Sequence, residues 1–236
     1  MKNRNFVRSR MARAVAVGLL LGSTTIVPMP TQASQWTGAV SDDWSEADNW
    51  VVPPVNGSFV LIDALAPNPT HLRTAATVGT IVIGDQSQGA LVIESGGALQ
   101  AVGATLGAST GSTGSVVVSG AGSSFTTDGW ASIGRDGVGS LAVRDGAVAS
   151  LAMTEWYSET ILGFGEYGWT EHPETGQGSI VVDGAGSTLD YAGGLNILNG
   201  SLAVSAGGQV TSRARDDAAW VDLIGWGVPA DPDPAL

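Results

Sequence analysis

The 236 residues contain no cysteine, so the fold uses no disulfide, and neither a thiolate nucleophile nor a cysteine-based zinc set is available. Lysine occurs once, at Lys2, which excludes a Walker-type phosphate loop from everything downstream. Histidine occurs twice, at His71 and His172, with no second histidine near either to complete a zinc site. Aromatic residues make up only 6% of the chain, so their clustering in two places, around Trp36–Trp50 and Trp156–Trp169, is informative. Long apolar runs are also missing after the first turn of the chain, and no stretch beyond it is a candidate membrane span.

What is present first is a leader. Lys2, Arg4, Arg8, Arg10 and Arg13 precede an apolar stretch from Ala14 to Leu21 and beyond, and Thr31-Gln32-Ala33 supplies small residues for cleavage. This is the pattern of a secretory signal peptide over residues 1–33. Past Ala33 the chain keeps five arginines against all 22 carboxylates, a net charge of −17. Such a surface repels nucleic acid and anionic membranes, and suits an exported, solvent-facing protein.

The second presence is a repeat. Gly89-Ala-Leu-Val-Ile returns as Gly114-Ser-Val-Val-Val, Gly139-Ser-Leu-Ala-Val, Gly178-Ser-Ile-Val-Val and Gly200-Ser-Leu-Ala-Val, at steps of 25, 25, 39 and 22 residues. A period of this size marks a stacked architecture, because one such unit cannot bury its own apolar face. Two further apolar pieces follow each phrase, the second ending near Leu99, Phe125, Ala149, Leu189 or Val210. The third ends at Ile83-Gly84, Leu106-Gly107, Ile133-Gly134, Leu162-Gly163, Ile197-Leu198 or Ile224-Gly225. The alternation within each piece is period two, and the glycine-rich links suit tight corners. The expectation is an all-β fold, a parallel β-helix of about five to six three-strand coils. Val116, Val118, Ile180, Val182, Leu202 and Val204 are expected to point inward in columns. Units two and four carry Gly120-Ala121-Gly122-Ser123 and Gly184-Ala185-Gly186-Ser187 in place of shorter turns, which indicates a deeper repeat of two coils. The organisation expected is a leader over 1–33, a Trp-rich cap over 34–77, solenoid repeats over 78–226 with an insertion at 151–177, and a disordered tail over 227–236 with three of the chain's prolines.

The opening Gln35-Trp36-Thr37-Gly38 through Asp42-Asp43-Trp44 to Asn49-Trp50, followed by the Gly-Ser-aliphatic and Gly-Ala-Gly-Ser phrases, resembles a known repeat family. It is the family associated with autotransporter (type V secretion) passengers and with PEP-CTERM sorted proteins, and the resemblance covers residues 35–226. It implies an extracellular β-solenoid passenger exported across a Gram-negative envelope, with no catalytic residue. The expectation is a non-enzymatic surface or secreted protein with an adhesive role and no cofactor. It also implies a C-terminal membrane barrel, for which residues 227–236 are far too short. The expectation is therefore a passenger fragment, the product of a truncated gene or a barrel-less secreted relative.

Two motifs fail on context. Gly107-Ala108-Ser109-Thr110-Gly111 has the spacing of a nucleophile elbow, and Gly163-Phe164-Gly165-Glu166-Tyr167-Gly168 that of a dinucleotide loop, but no helix pattern follows either. No catalytic or metal-ligating residue is expected. The insertion is different: Trp156, Tyr157, Glu159, Glu166, Tyr167, Trp169, Glu171 and His172 gather aromatic faces beside carboxylates, the composition of a sugar-binding groove. These eight residues are the ligand-binding candidates. The partners expected are a surface glycan or a second copy of the chain, with no nucleic acid and no membrane insertion. Two rival readings stay open. One is a carbohydrate-active β-helix enzyme, a lyase or hydrolase, against which Arg135, Arg144, Arg213 and Arg215 sit in different turns. The other is a calcium-binding module built on Asp42, Asp43, Glu46 and Asp48, whose simpler reading is an acidic capping turn. Likewise Trp36, Trp44 and Trp50 are expected to close the first coil rather than to stack sugars.

Overall fold

A computed structural model describes residues 33–63, 66–152, 159–162, 176–192, 194–213 and 220–222. These form seventeen strands and one 3-10 turn (Ala47–Asn49). In chain order the strands are β1 (Ser34–Gln35), β2 (Phe59–Ile62), β3 (Thr70–Leu72), β4 (Ala75–Ile83), β5 (Gln88–Ile93) and β6 (Ala98–Leu106). There follow β7 (Thr113–Ser119), β8 (Ser124–Ile133), β9 (Val138–Arg144), β10 (Val148–Leu151), β11 (Glu159–Leu162) and β12 (Gln177–Asp183). The last are β13 (Thr188–Ala192), β14 (Gly194–Ile197), β15 (Gly200–Ser205), β16 (Gln209–Arg213) and β17 (Trp220–Asp222). All strand pairs are parallel, and the molecule is the all-β parallel β-helix that the repeat predicts.

The strands make two sheets. One has six strands in the order β15-β12-β9-β7-β5-β3, one per coil, and carries the Gly-Ser phrase. The other runs β1-β2-β4-β6-β8-β10-β13-β16, with β11, β14 and β17 continuing it at the corner. The register confirms the repeat residue by residue: Gly89 pairs with Gly114, Gly114 with Gly139, Gly139 with Gly178 and Gly178 with Gly200. The long step of 39 residues therefore leaves the register untouched.

Two features differ from the sequence expectation. The second and third pieces of the early coils are single strands, since β4, β6 and β8 each run through the bend; between β6 and β8 the bend is absorbed by a register shift between Ala101 and Gly103. The stack also begins earlier than the Gly-Ser phrases do. β2 pairs with the end of β4, and β3 pairs with β5 by Thr70 to Leu91 and Leu72 to Ile93.

Glycine opens each phrase because the chain turns a corner there against its neighbour. A Cβ on Gly114 would collide with the Ile83 carbonyl oxygen, so no other residue fits without moving the backbone. Inside, the columns are apolar and almost wholly aliphatic, Phe125 being the one aromatic member of the three that follow. Leu91, Val116, Leu141 and Ile180 stack in one; Leu72, Ile93, Val118, Val143 and Val182 stack in a second; Leu99, Phe125, Ala149 and Leu189 stack in a third. All are essentially inaccessible to solvent, each contributing roughly 1.5–3 kcal/mol of burial for a full-sized side chain.

The two-coil period has a physical cause. In the longer turns Ser123 and Ser187 are buried, and each hydroxyl accepts the backbone N–H of the shorter turn below, from Gly96 at 3.1 Å and Gly146 at 3.0 Å. Each Gly-Ala-Gly-Ser turn thus completes the coil before it, and coils come as interlocked pairs.

The N-terminal end is closed. Trp36, Trp44 and Trp50 are buried and join the core of Val60, Ile62 and Leu72. Trp50 meets Trp36 and Trp44 edge-on at centroid distances of 4.9 and 4.7 Å. The indole N–H of Trp50 donates to the Trp44 carbonyl (2.8 Å), and that of Trp36 to the Asn68 carbonyl (3.1 Å). Asn49 organises the loop: its Oδ1 accepts from Val40 N and Ser41 N, both at 2.9 Å, and its Nδ2 donates to Asp43 O and Ser41 Oγ.

The far end is open. Leu202 and Val204 keep their places in the columns, opposite Ile180 and Val182, but Leu202 is half-buried and Val204 is 49% exposed. The expectation that Val204 is a core residue fails because among the described residues no later strand covers it. The last strand, β17, pairs Asn196 with Asp222, whereas the repeat aligned Asn196 with Leu223; Leu223 and the rest of 223–236, including the expected tail, lie outside the described residues.

Candidate functional site

The densest polar arrangement among the described residues sits where the cap meets the first coils. His71 lies on β3, Arg73 at the corner after it, Glu94 at the end of β5 and Asp42 in the cap loop. Arg73 donates from Nη1 and Nη2 to the two carboxylate oxygens of Asp42 (3.1 and 2.9 Å) and from Nε to Glu94 Oε1 (2.9 Å). His71 Nδ1 lies 2.9 Å from the same Glu94 oxygen; a carboxylate only accepts, so this nitrogen carries the hydrogen. The backbone reinforces the junction, with His71 N donating to Asp42 O (2.8 Å) and Trp44 N to His71 O (2.9 Å).

The electrostatics follow from these bonds. Arg73 holds the Asp42 carboxyl below its ordinary value, and His71, with Arg73 behind it, does the same for Glu94. The Asp42 bond, aided by Glu94, raises Arg73 above the usual guanidinium value. The Ser45 hydroxyl and backbone N–H lower Asp43. All four groups are partly solvent-exposed, so the network is a clasp between loop and coils rather than a buried reactive centre.

The same loop holds the carboxylates considered for calcium. Asp42 is engaged by Arg73, Asp43 Oδ1 accepts from Ser45 N and Oγ (2.9 and 2.7 Å), and Glu46 caps the 3-10 turn. Among the described residues no three histidine, aspartate or glutamate side chains are grouped to hold a metal ion. Asp63 plays a comparable structural part. Its Oδ1 accepts from the backbone N–H groups of Asp85, Gln86 and Ser87 at 2.5–2.9 Å, filling a nest at the corner between β4 and β5.

Of the eight ligand-binding candidates, only Glu159 lies among the described residues. It opens β11, opposite Gly194 of β14, so a strand in register with its neighbours divides the insertion in two. Trp156, Tyr157, Glu166, Tyr167, Trp169, Glu171 and His172 lie outside the described residues. The Gly107–Gly111 motif sits at the corner between β6 and β7, where Ser109 Oγ accepts from Gln86 Nε2 (3.0 Å) and a strand follows. This is a corner, not a nucleophile elbow. A small depression of about 220 Å³ opens beside the cap, lined in part by Trp36, Ile62, Asn68, Thr70, Gln88 and Ser115.

Sequence reasoning missed the Arg73 clasp. A signal existed: Arg73 is the first arginine after the leader and stands between the acidic cap loop (Asp42, Asp43, Glu46, Asp48) and a first coil carrying Asp85 and Glu94. Joining it to Asp42 and Glu94, however, needs the register of β3 on β5. No family model, no curated protein and no solved structure matches this chain.

Proposed function

We propose that the chain is an exported, non-enzymatic β-solenoid of the autotransporter passenger or PEP-CTERM-associated kind, acting as a surface or secreted stalk with an adhesive role. The observation that carries the reading is the uninterrupted register from β3 to β15, with filled apolar columns inside. Such a stack is rigid along its axis and spends its chain on length rather than on a cleft. It tolerates the extra residues on either side of β11 without a change of register, which is how a solenoid displays a binding loop on one face. The basic-apolar-small pattern of residues 1–33 supplies the export signal, and the acidic remainder suits the outside of a cell.

Two measurements test the proposal. Expressed in a Gram-negative host, the chain leaves the cytoplasm and its processed form begins at Ser34 by mass spectrometry; a cytoplasmic chain with residues 1–33 intact contradicts export. On a glycan array, deletion of residues 163–175 leaves the circular dichroism spectrum unchanged and removes any binding seen for the parent. Binding that survives in the folded deletion variant places the contact outside residues 163–175.

A further inference from the structure

The sheet that contains β6 and β8 breaks its register at one place. The pairs run Ala101 to Thr127 and then Gly103 to Trp130, so β8 spends two residues, Asp128 and Gly129, where β6 spends only Val102. An extra residue of this kind bends its strand and re-aims the side chains beside it. Here that side chain is Trp130, which is 39% exposed, whereas Trp36, Trp44 and Trp50 are buried. The indole has a defined pose. A Cβ placed on Gly103 would collide with it, nearest to Cε2, with Nε1 and Cζ2 next at 2.6 and 2.7 Å. Cε2 is the ring-fusion carbon between those two atoms, and an approach in the plane of the ring would meet one of them first. The indole therefore lies face-down on the backbone of Gly103, which is buried beneath it, and turns its other face to solvent.

The apolar strip continues along the stack. Gly103 pairs with Thr80 and Thr80 with Phe59, so the exposed Phe59 follows two rungs further on, roughly 10 Å from Gly103, and the exposed Val102 adjoins the same row. Polar groups border it. Gln100 Nε2 donates to Asp128 Oδ2 (3.0 Å), two residues before Trp130. Thr160 of β11 pairs with Ala131, which places Glu159 beside Trp130 in the ladder, where the insertion leaves the coil.

We propose that Trp130 is the stacking platform of a binding site for a neutral glycan chain lying along the stack axis, with Phe59 as its second contact. This rests on the adhesive reading above and gives it a ligand class and a platform on the coils. The chemistry selects the ligand. A pyranose ring has an apolar C–H face that covers an indole, and hydroxyls around its rim that reach an amide and a carboxylate set beside that indole, as Gln100 and Asp128 are. The chain carries −17 past its leader, which repels uronic acids, sulfated sugars and nucleic acid. A cation over a single exposed ring gains only about 0.5–1 kcal/mol, too little for a site with one aromatic wall. A linear sugar chain instead uses Trp130 and Phe59 together, and the second contact becomes intramolecular once the first is made.

The test is saturation-transfer NMR on the purified chain with soluble hexasaccharides of glucose, mannose and N-acetylglucosamine, a galacturonate hexamer and choline. The parent saturates the C–H protons of a neutral hexasaccharide and leaves the galacturonate untouched. Trp130→Ala weakens that binding about tenfold or more and Phe59→Ala by a smaller factor, while the circular dichroism stays that of the parent. A readout on the unaltered protein accompanies these: the indole N–H signal of Trp130, identified by its loss in Trp130→Phe, moves as the sugar is titrated. Deletion of residues 163–175 separates this platform from the insertion. Binding lost in the deletion and unchanged in Trp130→Ala overturns the proposal and leaves the insertion reading standing. Binding lost in Trp130→Ala and kept in the deletion upholds it and moves the contact to the coils; loss in both makes them one site. A parent that saturates no neutral sugar, or choline alone, also overturns it, while export is judged separately by the processed N terminus.

Discussion

Val60 and Val204 are the same kind of residue at opposite ends of one stack. Val60 sits in the first coils under Trp36, Trp44 and Trp50 and is wholly buried, while Val204 occupies a column position in the last phrase and is half exposed. The difference comes from what lies beyond each. A solenoid coil has no core of its own; each face of it is finished by a neighbour or by a cap. At the N-terminal end the chain invests a loop, three indoles, a buried asparagine and the Arg73 clasp in that closure. At the other end, the described residues stop at bare strands.

The largest expected contrast is between charges placed at those two valines. Val60→Asp buries an unpaired carboxylate and costs about 3 kcal/mol or more, whereas Val204→Asp is solvated where it stands and costs under about 0.5 kcal/mol in urea titrations. Equal costs would mean that the far end is as closed as the near one. Next is the asparagine that holds the cap loop. Asn49→Ala leaves the N–H groups of Val40 and Ser41 and the Asp43 carbonyl without their partner, a loss of about 2 kcal/mol. The accompanying blue shift of Trp44 and Trp50 emission is lost as water enters; an unchanged spectrum would remove Asn49 from the account.

Much of this could be read from the residues alone, and the reasons are local. The Gly-Ser phrase set the register because a glycine is demanded wherever a corner passes against the strand below, as at Gly114 under Ile83. The two-coil period was visible in the turns, though its cause, Ser123 and Ser187 reaching back to Gly96 and Gly146, needed the stack. β2 and β3 were hidden because they carry no such phrase and are flanked by Pro53, Pro54, Pro67 and Pro69. Val204 misled for another reason: its pattern is that of a core residue, but burial depends on the next coil and not on its own sequence. The Arg73 clasp joins residues 21 to 31 positions apart, beyond the reach of any local pattern. The aromatic insertion was legible as composition only, since just Glu159 of its candidates falls within a described strand.

A smaller effect checks the coil pairs. Ser187→Ala removes the acceptor of Gly146 N and costs about 1 kcal/mol, and Ser123→Ala costs the same through Gly96. Thr211→Ala, whose hydroxyl bonds Asp190 at the exposed last coil, costs markedly less. The smallest effect is acid loosening of the cap. Asp42 and Glu94 are held below their ordinary values of 3.8 and 4.5, so their contribution is complete above that range and fades as pH falls through it. Melting temperature is then flat from neutral pH to about 5 and declines below about 4.5, and Arg73→Gln flattens part of the decline. A decline of equal size in Arg73→Gln would place the acid sensitivity elsewhere.

Native-state hydrogen exchange read by mass spectrometry tests the inequality of the two ends most directly. The account predicts that amides of β2 and β3 are protected as strongly as those of β7 and β9 in the middle of the stack, and that β15 and β16 exchange fastest of the paired strands. Protection in β15 equal to that in β9, or rapid exchange across β2 and β3, would contradict it.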